Sequence, residues 1–101
     1  MKILICGLPG SGKTTLAKKI VEDLKLININ DWIIIDQVAG TRKERQEINA
    51  DAVIWIDTVP IVDTNFQKPT KFMYRIKDHS DFPWSTYIIE SIIKIKEQDH
   101  V

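Results

Sequence analysis

Residues 7–14 read Gly7-Leu8-Pro9-Gly10-Ser11-Gly12-Lys13-Thr14, and no other segment constrains this chain as strongly. The run matches G-x-x-x-x-G-K-[ST], a pattern that carries meaning only between a buried strand and a helix. Both flanks fit that requirement. Ile3-Leu4-Ile5-Cys6 is a continuous apolar run of the kind parallel sheets bury on both faces. Downstream, Ala17, Ile20, Val21 and Leu24 recur at helical spacing, while Lys18, Lys19, Glu22, Asp23 and Lys25 take the other side. That periodicity predicts a helix from Lys13 to Lys25. The glycines between the two elements let the backbone curl until successive N–H groups point into one anion-sized hollow. The helix dipole adds positive potential at the same place.

Each position of the motif has a role in holding a phosphate chain. Gly7, Pro9, Gly10, Ser11 and Gly12 shape the hollow, and Lys13 is placed to reach the β- and γ-phosphates of a nucleotide. The Thr14 hydroxyl is the expected Mg²⁺ ligand, and Thr15 adds a hydroxyl near the α-phosphate. A glycine turn with no ligand would leave the lysine and the threonine without a purpose.

Beyond the first helix, Leu26 to Asp31 contains two asparagines and reads as a turn. Trp32-Ile33-Ile34-Ile35 is a second buried-type strand, closing on Asp36. Thr41 and Glu44 have capping-box spacing, which predicts a short helix from Arg42 to Asn49. Ala52 to Ile56 is a third apolar strand, closing on Asp57, and Thr58 to Thr70 reads as a loop. Phe72, Tyr74 and Ile76 alternate with Met73 and Arg75, as in a half-exposed fourth strand. After Pro83 a last helix is expected from Trp84 to Glu97. Its stripe is Ile88, Ile92 and Ile95, with Ile89 and Ile93 alongside and Glu90–Lys94 as an outward i,i+4 pair. Strands alternating with helices imply a parallel sheet, and no linker or repeat divides the chain, so one domain is expected.

Ligands of open parallel sheets sit beyond the carboxyl ends of the strands, where Asp36 and Asp57 both lie. Asp36 can hold a metal-bound water or take a proton from a substrate hydroxyl, against the plainer role of a turn aspartate. For Asp57, beside Thr58, the plainer role is favoured. Arg42 and Lys43 read as a solvated helix face; for Arg45 the choice between that and a contact to developing charge is closer. Lys68 and Lys71 are further loop cations. His79, Phe82 and Trp84 suit core packing better than a base pocket, and His79 and His100 make no metal site with Cys6.

Composition narrows the partners. Fourteen basic residues balance 14 acidic ones, which disfavours non-specific nucleic-acid binding. The lone Cys6 cannot form an internal disulfide, which suits a reducing cytoplasm. No apolar run nears the roughly 20 residues needed to cross a bilayer. The short apolar start is followed by glycine and lysine, unlike a signal peptide.

The chain resembles the P-loop kinases of small molecules, most closely the short adenylylsulfate kinase-like proteins of bacteriophages and some bacteria. Its opening, MKILICGLPGSGKTTLA, is similar to the start of that family. Asp51-Ala52-Val53-Ile54-Trp55-Ile56-Asp57-Thr58 resembles the family's "ADxxxWxDT" strand, and Asp63-Thr64-Asn65 with Lys68-Pro69 its "DTN…F…P" loop. Ile35-Asp36-Gln37-Val38 with Thr41 and Arg45 resembles its "xxDFVxPTxxxR" segment. Apart from one gap, the likeness runs from residue 1 to residue 77. It implies an α/β, three-layer P-loop NTPase-like fold with a reduced, mainly parallel four-stranded sheet. It also implies ATP and Mg²⁺ as cofactors and transfer of the γ-phosphoryl to a small hydroxyl acceptor such as adenylylsulfate. On that reading Lys13 stabilises the migrating phosphoryl, Asp36 is base or metal group alongside Thr14, and Arg45 positions the acceptor.

Two departures matter. Relatives carry a further strand and helix between the first helix and the strand ending in aspartate, where here only Leu26 to Asp31 stand. The family's loop arginine is also replaced by Pro60-Ile61-Val62. The alternative is therefore a nucleotide-binding module without kinase turnover. The missing unit also leaves the edge of Trp32–Ile35 open, with no lysine, proline or bulge to blunt it, so a homodimer through that edge is expected.

Overall fold

In the computed structural model, which describes residues 1–62, 65–78 and 83–98, seven elements follow one another. They are β1 (Lys2–Cys6), α1 (Lys13–Leu26), β2 (Ile33–Asp36), α2 (Arg42–Ile48), β3 (Ala52–Ile56), β4 (Tyr74–Ile76) and α3 (Trp84–Gln98). The four strands form one sheet ordered β2-β1-β3-β4, and every pairing is parallel. β1 lies inside the sheet, so Ile3 to Cys6 are fully buried.

The two-residue period of the strands divides the core. Ile3, Ile5, Ile54, Ile56 and Ile76 face α1 and α3, where they meet Leu16, Ile20, Leu24, Ile88, Ile89 and Ile92. Leu4, Cys6 and Trp55 face the opposite side and pack with Ala39, Phe66 and the half-buried Ile48 of α2. The result is three layers of unequal weight: two long helices on one face, and α2 with the Phe66 segment on the other. Among the described residues no helix is long and apolar enough to cross a membrane.

Local signals set most boundaries. Thr41 caps α2 by accepting from the Glu44 N–H at 3.1 Å, as the capping-box spacing requires. Asn28 adopts a left-handed φ of 58° and closes α1, with the Ile27 and Ile29 N–H groups donating to the Leu24 carbonyl. That turn delivers the chain directly into β2, which becomes an outer strand with Ile33 56% exposed.

Four expectations shift. Val21 is exposed and Leu16 is buried, because at about 100° per residue Val21 falls outside the arc spanned by Leu16, Ala17, Ile20 and Leu24. Ile95 has the right angle yet is 45% exposed in the final turn of α3, so its stripe ends where the facing layer ends. Strand β4 begins at Tyr74 rather than Phe72, whose ring turns edge-on to Trp55 at 5.7 Å. Glu90 and Lys94 are both exposed and form no ion pair with each other.

Candidate functional site

The loop between β1 and α1 is held in shape from three sides. A side chain at Gly7 would put its first carbon 2.5 Å from the Ile56 carbonyl oxygen and 2.9 Å from Ser11 Oγ, so only glycine allows this approach. Gly12, the residue before α1, takes a left-handed φ of 98°. The Ser11 N–H donates to the Leu8 carbonyl at 3.1 Å, and Thr58 Oγ1, just past β3, donates to the Ser11 carbonyl at 2.9 Å.

The electrostatics of this loop suit an anion. No side chain caps α1 and no acidic residue occupies its first turn, so nothing offsets its positive end. Lys13 Nζ folds back to the Leu8 carbonyl at 3.1 Å and brings its charge to the same loop. Thr14 and Thr15 are exposed on the first turn of α1. A phosphate chain fits this cradle: curled backbone, free helix end, cation and hydroxyls converge on it.

For Mg²⁺ the donor set is oxygen only, which matches a hard cation. Asp36 ends β2 in register with Ile5, half-buried, one strand over from the loop's own strand. Its carboxylate makes no hydrogen bond or ion pair among the described residues. No group of three or more His, Cys, Asp or Glu side chains forms among those residues. Thr14 and Asp36 offer oxygen donors of the kind such an ion takes.

The other candidates are placed as follows. Asp57 accepts from Nε and Nη2 of Arg75 at 2.9 and 2.6 Å, and that guanidinium lies 4.5 Å over the Trp55 ring. This is the structural role favoured for it. Arg45 donates from Nη1 to the Ala39 carbonyl at 2.6 Å and from Nη2 to the Gln67 carbonyl at 2.7 Å, beside the Phe66 ring. It ties α2 to both neighbouring loops, and these two bonds fix the direction of its guanidinium. Arg42, Lys43, Lys68 and Lys71 are exposed. Trp84 packs against Tyr74, with ring centres 6.2 Å apart, and joins the core beside α1 and α3. Asp63, Thr64, His79, Phe82 and His100 lie outside the described residues. Beside the loop, Leu8, Val38, Gly40, Asn65 and Phe66 line a hollow of about 220 Å³.

Sequence reasoning missed two contributors. Thr58 was seen only as the neighbour of Asp57, yet its hydroxyl braces the loop. Arg75 was seen only as the outward residue of a strand; its signal was a cation at a strand position facing an aspartate-terminated strand.

Cys6, the last residue of β1, is wholly enclosed. Burial pushes its thiol up to about 11, against the opposing pull of Arg45 and Lys13. The thiolate is therefore disfavoured in the fold relative to the unfolded chain, where a cysteine titrates near about 8.5. Cys6 contributes its full stability below that pH and loses it as the pH rises toward 11. The expected loss is roughly 3 kcal/mol across that window. Urea denaturation of wild type and Cys6→Ala from neutral pH upward checks this, since the alanine variant should have the flatter profile.

A family model described as an AAA domain matches residues 3–75, a span that takes in the loop, Asp36, Arg45, Asp57 and Thr58. No curated protein and no solved structure matches the chain. The cradle between β1 and α1, set in a parallel sheet and lying within that match, makes this chain a member of the AAA-domain family, a nucleotide-binding P-loop protein of the kinase-like type.

Proposed function

We propose that this chain binds ATP with Mg²⁺ through residues 7–15 and transfers the γ-phosphoryl group to the hydroxyl of a small acceptor, adenylylsulfate being the first to test. The observation that carries the proposal is the uncompensated positive end of α1 with Lys13 folded onto the same loop. Backbone N–H groups of the loop bind the phosphates, and Lys13 follows the migrating group. Thr14 would hold the metal, with Asp36 reaching it through a bound water, and the metal would supply positive charge against the phosphates. In the transfer, the acceptor oxygen bonds to the γ-phosphorus as the bond from that phosphorus to the β-phosphate oxygen breaks. The acceptor proton passes to Asp36. Arg45 orients the acceptor.

A second reading, nucleotide binding without turnover, draws on a specific observation. Both terminal nitrogens of Arg45 already serve backbone carbonyls, which holds the guanidinium in a structural role, and the Asn28 turn leaves no unit on which other acceptor-gripping residues could stand. One assay separates the two readings: ADP release measured across hydroxyl acceptors, adenylylsulfate included. Both readings require the cradle. Lys13→Ala should weaken ATP affinity by at least about tenfold, or about 1.4 kcal/mol, by calorimetry. Equal affinity in the two proteins would remove the cradle from either account.

A further inference from the structure

A larger cleft, of about 470 Å³, lies away from the phosphate loop. It opens between α2 and the segment before β4, and none of residues 7–15 lines it. Arg42 and Arg45 stand on one side and Lys71 on another; Asn49 and Thr70 add neutral polar groups, and Val53 adds apolar surface. Sites for small molecules usually run from roughly 300 to 1,000 Å³, so this volume suits a ligand larger than a bare ion.

Its charge is unusual for this chain. Acidic and basic residues are equal in number, yet no carboxylate lines the cleft. The ion pairs among the described residues are Lys19–Asp23 and Arg75–Asp57, so the three cations have none. Arg45 bonds two carbonyls through one N–H of each terminal nitrogen, which leaves three of its five N–H donors and its charge in place. The side chains of Arg42 and Lys71 make no hydrogen bond or ion pair among the described residues. Three like charges around one void repel one another, and an anion between them relieves that repulsion.

From this we infer that the cleft is a second binding site, for a small phosphate or sulfate ester carrying more than one negative charge. Guanidinium forks match tetrahedral oxyanions, and a lysine adds a mobile point charge. No aromatic ring lines the cleft, so a nucleobase would find no surface on which to stack. The ligand class is therefore a non-aromatic ester, such as a sugar phosphate. The inference shares Arg45 with the proposed transfer, but its test reads Arg42 and Lys71, which that reaction does not use.

The test uses the full chain, ¹⁵N-labelled and carrying Lys13→Ala to silence the loop, titrated with ribose 5-phosphate. Saturable shifts are expected at the amides of Asn49, Thr70 and Lys71, with inorganic sulfate competing. Adding Arg42→Ala and Lys71→Ala should weaken binding by at least about tenfold, with circular dichroism checking the fold. Should that variant fail to fold, salt dependence in the parent protein decides, because affinity for a charge-built site falls as salt rises. Shifts centred on Gly10 to Thr15, no saturable binding, affinity untouched by the two substitutions, or affinity insensitive to salt would each overturn the assignment.

Discussion

If the chain is a kinase, Asp36→Asn should lower turnover by about two to four orders of magnitude while ATP affinity changes little. The substitution keeps the size of the side chain and removes only its charge and basicity. The backbone around it is untouched, because β2 pairs with β1 through main-chain bonds and the Gln37 N–H donates to the Ile5 carbonyl at 3.2 Å. The carboxylate has no hydrogen-bond or ion-pair partner among the described residues, so no structural contact is broken with it. A loss of rate would then report on the proton or the metal, not on folding. Rapid-quench measurement of phosphoryl transfer, paired with calorimetry of ATP binding, separates the two quantities. An unchanged kcat would remove Asp36 from the reaction and leave nucleotide binding as it stands.

Gly7→Ala should destabilise the nucleotide-free protein by about 3 kcal/mol. The added carbon would lie 2.5 Å from the Ile56 carbonyl oxygen and 2.9 Å from Ser11 Oγ. Neither neighbour can retreat easily. Ile56 is 1% exposed and paired to Ile76 in the sheet, and Ser11 is itself 1% exposed. Relief must come from moving the loop or the end of β3. Gly10→Ala provides the contrast: its carbon would meet nothing within 4 Å, and only the φ of 81° is strained. That strain costs roughly 1–2 kcal/mol. Urea denaturation of both variants without nucleotide should rank Gly7→Ala as the more damaging. The reverse order would mean that close packing against β3 does not shape the loop.

How far the molecule could be read in advance depended on the range of each interaction. The start of α2 follows from Thr41 and Glu44, three residues apart, and the close of α1 from Asn28 beside its own last turn. The phosphate loop is likewise written within eight consecutive residues, because its curl, its helix end and its lysine are neighbours along the chain. Helix stripes were less secure. Val21 keeps the i+4 spacing but lies outside the buried arc, and Ile95 lies on its stripe but beyond the facing layer, since spacing alone does not say how wide or long the facing wall is.

The sequence by itself determined the element order, the buried character of β1 and β3 and the phosphate-loop pattern, all of which rest on contacts within a turn or a short run. Only the tertiary structure decided what those pieces meet. The Asp57–Arg75 pair joins residues 18 apart, and the Thr58 brace on Ser11 spans 47. Arg45 acquires its two carbonyls, and Arg42, Arg45 and Lys71 come to surround one cleft, because β3 lies between β1 and β4 in a fixed parallel register. Register and strand order are properties of the packed sheet. Spacing along a chain does not encode them, and so the same cations read as an ordinary solvated surface until the fold brings them together.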